Sequence, residues 1–227
     1  LVLMTSGVTH GAIRDWASRA LLQGFPKAAL LLLTQTENPR LDEDGDLVVA
    51  DDGHLVVTGD GHGGVFKALA APGPDGTSLA QRLRDAGIRG VVLHNVDNAA
   101  AHPFEPARLG YHLRGGYAFT MTVVERARLS EKVGLVARNT RTGRTEVIEY
   151  SVCPQAVTEA ARPDGGPLYQ LAHINTNLVE LDGMRTDLPP TLYTGKKVVL
   201  RGRTVASSSY EMLNQHLAGL LDGDRVG

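Results

Sequence analysis

Six consecutive apolar residues, Ala28 to Leu33, constrain the fold more than any other feature of the chain. The run is far short of the roughly 20 apolar residues that a membrane helix needs. It is continuous rather than alternating, so Lys27–Thr34 reads as a strand buried inside an α/β sheet. Leu1–Met4 and Gly90–His94 have the same character. Between and after these runs the apolar spacing turns helical. Ile13, Trp16, Ala17, Ala20 and Leu21 follow a capping Thr9 and stop at Gly24. Leu79, Leu83 and Ala86 end at Gly87, and Pro106–Leu113 forms a further helix. Tyr117–Val124 is predicted as a strand. Asp51-Asp52-Gly53 and Thr142-Gly143 sit at the turns of two hairpins. Ala172–Asn175 reads as a short strand leading into a helical segment, Lys197–Leu200 as a strand, and Tyr210–Leu221 as an amphipathic helix. Strands alternate with helices early and hairpins accumulate later. The expected fold is therefore an α/β sandwich with a mixed, mostly parallel sheet and added hairpins. No linker divides residues 1–227, which read as one domain, and the loosest stretch is Ala156–Gly166.

Composition narrows the function classes. The chain has 227 residues, enough for a full core, and 42% of them are hydrophobic. A net charge of −2 argues against a nucleic-acid or membrane-surface binder, which needs a clustered positive field. The single cysteine, Cys153, rules out an internal disulfide, fits a reducing cytoplasm and is read as structural. No signal peptide is visible. Leu1 lies on a strand without an initiator methionine, which suggests residues ahead of it.

Several segments could carry chemistry. Gly59-Asp60-Gly61-His62-Gly63-Gly64 places four glycines in six residues ahead of a helix. Such a loop lets backbone approach a phosphate or a ring edge, or it is simply rich in turns. It is neither the Rossmann fingerprint nor the P-loop. Asn95-Val96-Asp97-Asn98 follows a buried strand, where ligands of open α/β sheets bind. Asp97 would hold Mg²⁺ together with phosphate oxygens, or cap the next turn. Glu149 ends a hairpin strand, and His173-Ile174-Asn175-Thr176-Asn177 is a polar cluster suited to sugar hydroxyls or to a turn. Gln35 could read a base edge or face water. Lys132, Lys196 and Lys197 could meet phosphates or be ordinary surface lysines.

The order of these segments is more specific than any one of them. Met4-Thr5-Ser6-Gly7, Gln35, Gly59 to Leu69, Asn95-Val96-Asp97-Asn98, Lys132 to Val136, Val147 to Ser151 and Asn175-Thr176-Asn177-Leu178 together resemble the UDP-sugar pyrophosphorylase family over about residues 1–185. The resemblance implies a three-layer, Rossmann-like nucleotide-diphospho-sugar transferase fold. It implies attack of a sugar-1-phosphate oxygen on the α-phosphate of an NTP, chiefly UTP, releasing pyrophosphate with Mg²⁺. Gln35, Gly59, Asp60, Gly61 and His62 would serve the nucleotide. Asn95, Gly134, Glu149 and Asn177 would hold the sugar. Asp97 would bind the metal, and Lys197, Arg201 or Arg203 would stand in for the family's late lysine, which Arg203–Tyr210 lacks. The family's N-terminal glycine-rich loop precedes the segment matching Leu1, and the chain is short at its other end. Two alternatives follow: a nucleotide-sugar-binding relative without turnover, and a glycosyltransferase, for which Asn95-Val96-Asp97 is only half of the usual Asp-x-Asp. An Ala-, Arg- and Gly-rich composition is compatible with a bacterial genome of high GC content.

Overall fold

The computed structural model describes residues 1–19 and 24–227. In chain order the elements are β1 (Val2–Thr5), α1 (Gly7–Arg19), β2 (Leu31–Thr34), β3 (Glu37–Pro39), β4 (Val57–Gly59), α2 (Gly64–Ala70), α3 (Leu79–Asp85), β5 (Gly90–His94), α4 (Pro106–Gly115), β6 (Phe119–Glu125), β7 (Gly134–Arg138), β8 (Thr145–Ile148), α5 (Gln155–Thr158), β9 (Leu171–Glu180), β10 (Pro190–Leu200), β11 (Arg203–Met212) and α6 (Leu217–Leu220). They form two compact units. Leu1–Leu79 joins Pro189–Asn214 in the first, and Ala80–Leu188 joins Gln215–Gly227 in the second.

In the first unit β1 and β2 pair in parallel, from Val2 opposite Leu31 to Thr5 opposite Thr34. The helix between them starts two residues before the expected cap. Ser6 Oγ accepts from the Thr9 N–H at 3.2 Å and Thr9 Oγ1 accepts from the Ser6 N–H at 3.0 Å, so Ser6 caps α1 in a reciprocal box. Ala20 and Leu21, expected in this helix, lie outside the described residues. β3 and β4 pair antiparallel, as do the long β10 and β11. Val65, Phe66, Ala68 and Leu69 of α2 are buried with Val48, Met212 and Leu213.

The second unit holds a five-stranded sheet around β9. β6 runs along one edge of β9, from Glu125 opposite Leu171 to Phe119 opposite Val179. Two strands share the other edge: β5 pairs with Thr176–Glu180, and β7 pairs with Ala172 and His173. β8 adds outside β7. Phe119, Leu135, Val179, Leu181 and Leu217 are fully buried here. α4 is closed at both ends, by Glu105 accepting from the Ala107 and Arg108 N–H groups and by Gly116 in the left-handed region.

The α/β class stands, but the mostly parallel sheet does not. Among the described strands only β1 and β2 pair in parallel, and the sheets are small and mostly antiparallel. Two expected helices are corrected with it. Residues 176–180 continue β9, where β5 pairs along one edge and β6 along the other. Tyr210–Met212 completes β11, and the remaining apolar residues fall into a 3₁₀ turn, Asn214–His216, and the single turn of α6. No helix among the described residues is long and apolar enough to cross a membrane.

Candidate functional site

The residues predicted to serve the nucleotide gather in the first unit. Gln35 follows β2, and its N–H donates to the Thr5 carbonyl at 2.9 Å. Its side-chain amide lies across Gly59 so closely that a Cβ there would stand 2.2 Å from Gln35 Nε2. A side chain at Gly59 would have to push the end of the Gln35 side chain aside. Gln35 Oε1 is buried without a hydrogen-bond partner, which makes it an acceptor waiting for an N–H donor.

Met212, at the end of β11, staples the loop. Its N–H donates to the Asp60 carbonyl at 2.7 Å, and its carbonyl accepts from the Gly63 N–H at 2.9 Å. Gly61 sits at φ +87°, and a Cβ on it would stand 2.4 Å from the Met212 carbonyl oxygen. The position therefore needs glycine for both conformation and space. The Asn214 N–H donates to His62 Nδ1 at 3.2 Å. A ring nitrogen that accepts carries no proton, so neutral His62 bears its hydrogen on Nε2.

Asp60, also expected to serve the nucleotide, is buried at the start of the loop. It is 1% exposed, and its main chain is already engaged by Thr36 and Met212. Its carboxylate accepts from the Thr36 hydroxyl. Burial pushes its pKa up, against the hydrogen bond from Thr36 and the charge of Lys67. Asp60 thus ties the glycine loop to the residue next to Gln35.

Lys197, expected to meet the phosphates, lies on β10. It is exposed and pairs with Ala206, six residues along β11 from Met212, or roughly 20 Å at strand rise. Its neighbour Lys196, at a break in the register, reaches Glu211 at 3.2 Å, and Glu211 Cβ lies against Gly61.

The residues predicted to hold the sugar gather in the second unit, where the neighbour of β9 changes from β5 to β7. The β5–β9 register stops with His94 opposite Thr176, and β7 takes over with Gly134 opposite His173. Across this gap β9 bulges. Met121 faces Asn177 and Val123 faces His173, so Thr122 alone spans three residues of β9. Asn175, in the middle, adopts φ +50°. Bulges of this kind re-aim side chains, and asparagine tolerates the left-handed region better than most residues.

The amides then form a string. His173 Nε2 lies 2.9 Å from Asn177 Oδ1. Asn177 Nδ2 donates to Asn175 Oδ1 at 3.3 Å, and Asn175 Nδ2 donates to Asn95 Oδ1 at 2.6 Å. Asn177 is 0% exposed and Asn95 is exposed, so the string runs from core to surface. Burial lowers the pKa of His173, and its bond to Asn177 opposes that shift.

Gly134 packs beside His173, and the β7–β8 register places Glu149 next across from it. Glu149 accepts from Ser151 Oγ and from Gln215 Nε2, each at 3.4 Å. Burial raises its pKa, with hydrogen bonds from Ser151 opposing. Asp97 lies exposed just beyond β5, two residues after Asn95. Among the described residues no three His, Cys, Asp or Glu side chains gather around a metal position. A Mg²⁺ on Asp97 would complete its shell with phosphate oxygens and water, as this ion commonly does, so the residues present fit it.

Known proteins resemble the chain in sequence and fold. UDP-N-acetylglucosamine diphosphorylase 2 of Arabidopsis thaliana is 27% identical over 181 residues, 79% of this chain and 35% of that protein. UDP-N-acetylglucosamine pyrophosphorylase of Saccharomyces cerevisiae is 26% identical over 82% of this chain and 38% of its own length. The chain thus spans little more than a third of these curated relatives. The uridine diphosphate N-acetylglucosamine pyrophosphorylase of Trypanosoma brucei, solved with an inhibitor, superposes with a TM-score of 0.82 at 24% identity, covering 99% of this chain and 44% of that one. A UDP-glucose pyrophosphorylase mutant of Leishmania major, solved with UDP-glucose, gives 0.74 at 18% identity, covering 99% and 50%. The sequence pattern of the UTP–glucose-1-phosphate uridylyltransferase family matches residues 1–181. The chain belongs to this family of UDP-sugar pyrophosphorylases.

Proposed function

We propose that residues 1–227 act as one cytoplasmic nucleotidyltransferase domain that joins an NTP, UTP before the others, to a sugar-1-phosphate or a sugar-like phosphate. An oxygen of the sugar phosphate attacks the α-phosphorus of the NTP, and pyrophosphate leaves with the bond electrons. Gln35 carries this reading. Its buried, unpartnered Oε1 beside a side-chain-free Gly59 suits a flat ring edge with an N–H donor. The N3–H of uracil is such a donor, whereas N3 of cytosine is an acceptor. His62 serves the nucleotide side, with its ring held by the Asn214 N–H. Lys196, brought beside Gly61 by Glu211, supplies the cation on the nucleotide side in place of Lys197.

Asn95, Gly134 and Glu149 hold the sugar, with Asn177 acting through its string. Mg²⁺ bound by Asp97 would neutralise charge developing on the phosphates. Positioning and charge neutralisation supply most of the acceleration in such a reaction. The test is pyrophosphate release with Mg²⁺, each of the four NTPs and a panel of sugar-1-phosphates. Asp97→Ala should lower turnover at least about a hundredfold if it removes one charge-stabilising group. Tight UDP-sugar binding by calorimetry without any pyrophosphate would replace the transferase with a nucleotide-sugar-binding relative.

A further inference from the structure

We infer that Arg108 is a positioning residue that fixes the connection carrying Asp97, and so holds the metal ligand in place beside the sugar-side cluster. The inference rests on the reading of Asp97 as the Mg²⁺ ligand given above.

Mg²⁺ demands a near-ideal octahedron and takes most of it from phosphate and water, so one carboxylate serves it only where the backbone beneath is fixed. Asp97 is exposed on the connection Asn95–Glu105 between β5 and α4, and among the described residues no cluster of three metal-binding side chains includes it. Short turns shape this connection from within. The Asn98 N–H donates to the Asn95 carbonyl at 3.2 Å, the Ala99 N–H to the Asp97 carbonyl at 3.1 Å, the Ala101 N–H to the Asn98 carbonyl at 3.0 Å and the Glu105 N–H to the His102 carbonyl at 3.3 Å. None of these four bonds leaves the connection.

Ties to the neighbouring strands come from side chains at its two ends. At the start, Asn175 Nδ2 donates to Asn95 Oδ1 at 2.6 Å. At the other end Arg108, in the first turn of α4, reaches back. Its Nη2 donates to the His102 carbonyl at 2.5 Å and to the Pro103 carbonyl at 3.1 Å, and its Nη1 donates to Thr122 Oγ1 at 3.0 Å. Both ties land on one irregularity of the sheet. Thr122 is the residue of β6 that spans the bulge of β9, and Asn175 is the middle residue of that bulge.

The planar fork of arginine suits this task, because one side chain serves two carbonyls and a hydroxyl at once. Arg108 is half-buried and its Nε is buried without a partner, so the hold is made at the two outer nitrogens. Its own N–H donates to the capping Glu105 carboxylate at 2.6 Å. Removing the guanidinium therefore leaves the cap of α4 intact and frees only the connection.

Two measurements on the full chain test this. Hydrogen exchange read by mass spectrometry should show the amides of residues 98–105 exchanging about tenfold faster in Arg108→Met, as for loss of roughly one hydrogen bond, with those of β5, β6 and β9 unchanged. Pyrophosphate release titrated with Mg²⁺ should show the half-saturating concentration raised about tenfold, the low end for groups that orient a metal ligand. Saturating Mg²⁺ should return kcat to that of the unaltered chain, which a merely structural role would not allow. Arg108→Lys should recover part of the loss, since a single ammonium reaches the carbonyls or Thr122 but not both. Thr122→Val should move both readouts in the same direction by less, and replaces the methionine variant if that one fails to fold. Unchanged exchange in residues 98–105, faster exchange spread over the whole sheet, or lost turnover that no Mg²⁺ concentration restores overturns the inference. Absence of turnover in the unaltered chain would sink the reading of Asp97, while hydrogen exchange would still decide whether Arg108 fixes the connection.

Discussion

The Gly59–Gly64 loop is held by main-chain bonds to Thr36 and Met212 and shaped by side chains that are missing, whereas the cluster around Asn177 adds side-chain amide bonds to the ladder of β9. In the loop, the backbone has been cleared so that Gln35 can lie flat against it. In the amide cluster, the backbone is bent by a bulge so that three asparagines and a histidine can find one another. The loop should therefore fail when atoms are added, and the amide string when a donor or acceptor is removed.

The largest expected effect breaks the loop. Gly61→Ala forces a Cβ to 2.4 Å from the Met212 carbonyl at φ +87°. The strain and the overlap together should lower stability by about 3 kcal/mol, at the upper end for one residue held in a forbidden region. Urea unfolding gives the value. A loss below about 0.5 kcal/mol, the range of indifferent surface changes, would mean the loop relaxes freely and is not a fixed cradle.

The two clusters also differed in how far they could be read in advance. Glycines in a short window are visible in any sequence, and Gly59, Gly61 and His62 are found together as expected. The hairpin turns at Gly53 and Gly143 were equally plain, because their chemistry is local and both glycines sit at positive φ. The asparagine cluster was visible as a polar segment, but not as a string. Asn95 and Asn175 are 80 residues apart, and only the β5–β9 register makes them neighbours. The parallel sheet was overestimated because buried strands look alike whichever way their neighbours run. The bond from the Thr36 hydroxyl to the Asp60 carboxylate was not legible, because no local pattern announces it.

A smaller effect sharpens the comparison on the amide side. Burial holds the Glu149 pKa above its ordinary 4.5. Below that value the acid is neutral in folded and unfolded chains alike, and its contribution to stability is fully present. As pH rises through the raised folded value, the unfolded chain ionises more easily than the folded one, and the contribution is lost. Glu149→Gln removes this dependence. The variant should gain on the unaltered chain as pH rises from 4 to 7, by about 1 kcal/mol if one hydrogen-bonded polar group is at issue. Thermal melts across that range check it. A difference that stays flat, or shrinks toward pH 7, would mean that Glu149 is solvated like any surface acid.

The smallest effect separates two adjacent lysines. Lys197 is exposed, while its neighbour Lys196, just past a break in the β10–β11 register, pairs with Glu211 at 3.2 Å. Lys197→Ala should change stability by less than about 0.5 kcal/mol and leave KM for the NTP unmoved. Lys196→Ala frees Glu211 beside Gly61 and removes the nearby cation, so it should raise KM for the NTP several-fold with stability little altered, since a half-exposed ion pair is worth at most about 1 kcal/mol. Steady-state kinetics on the pair decides between them. If Lys197→Ala is the variant that weakens the nucleotide, the break in register does not select the functional lysine, and the loop is not the part of the first unit that meets the phosphates.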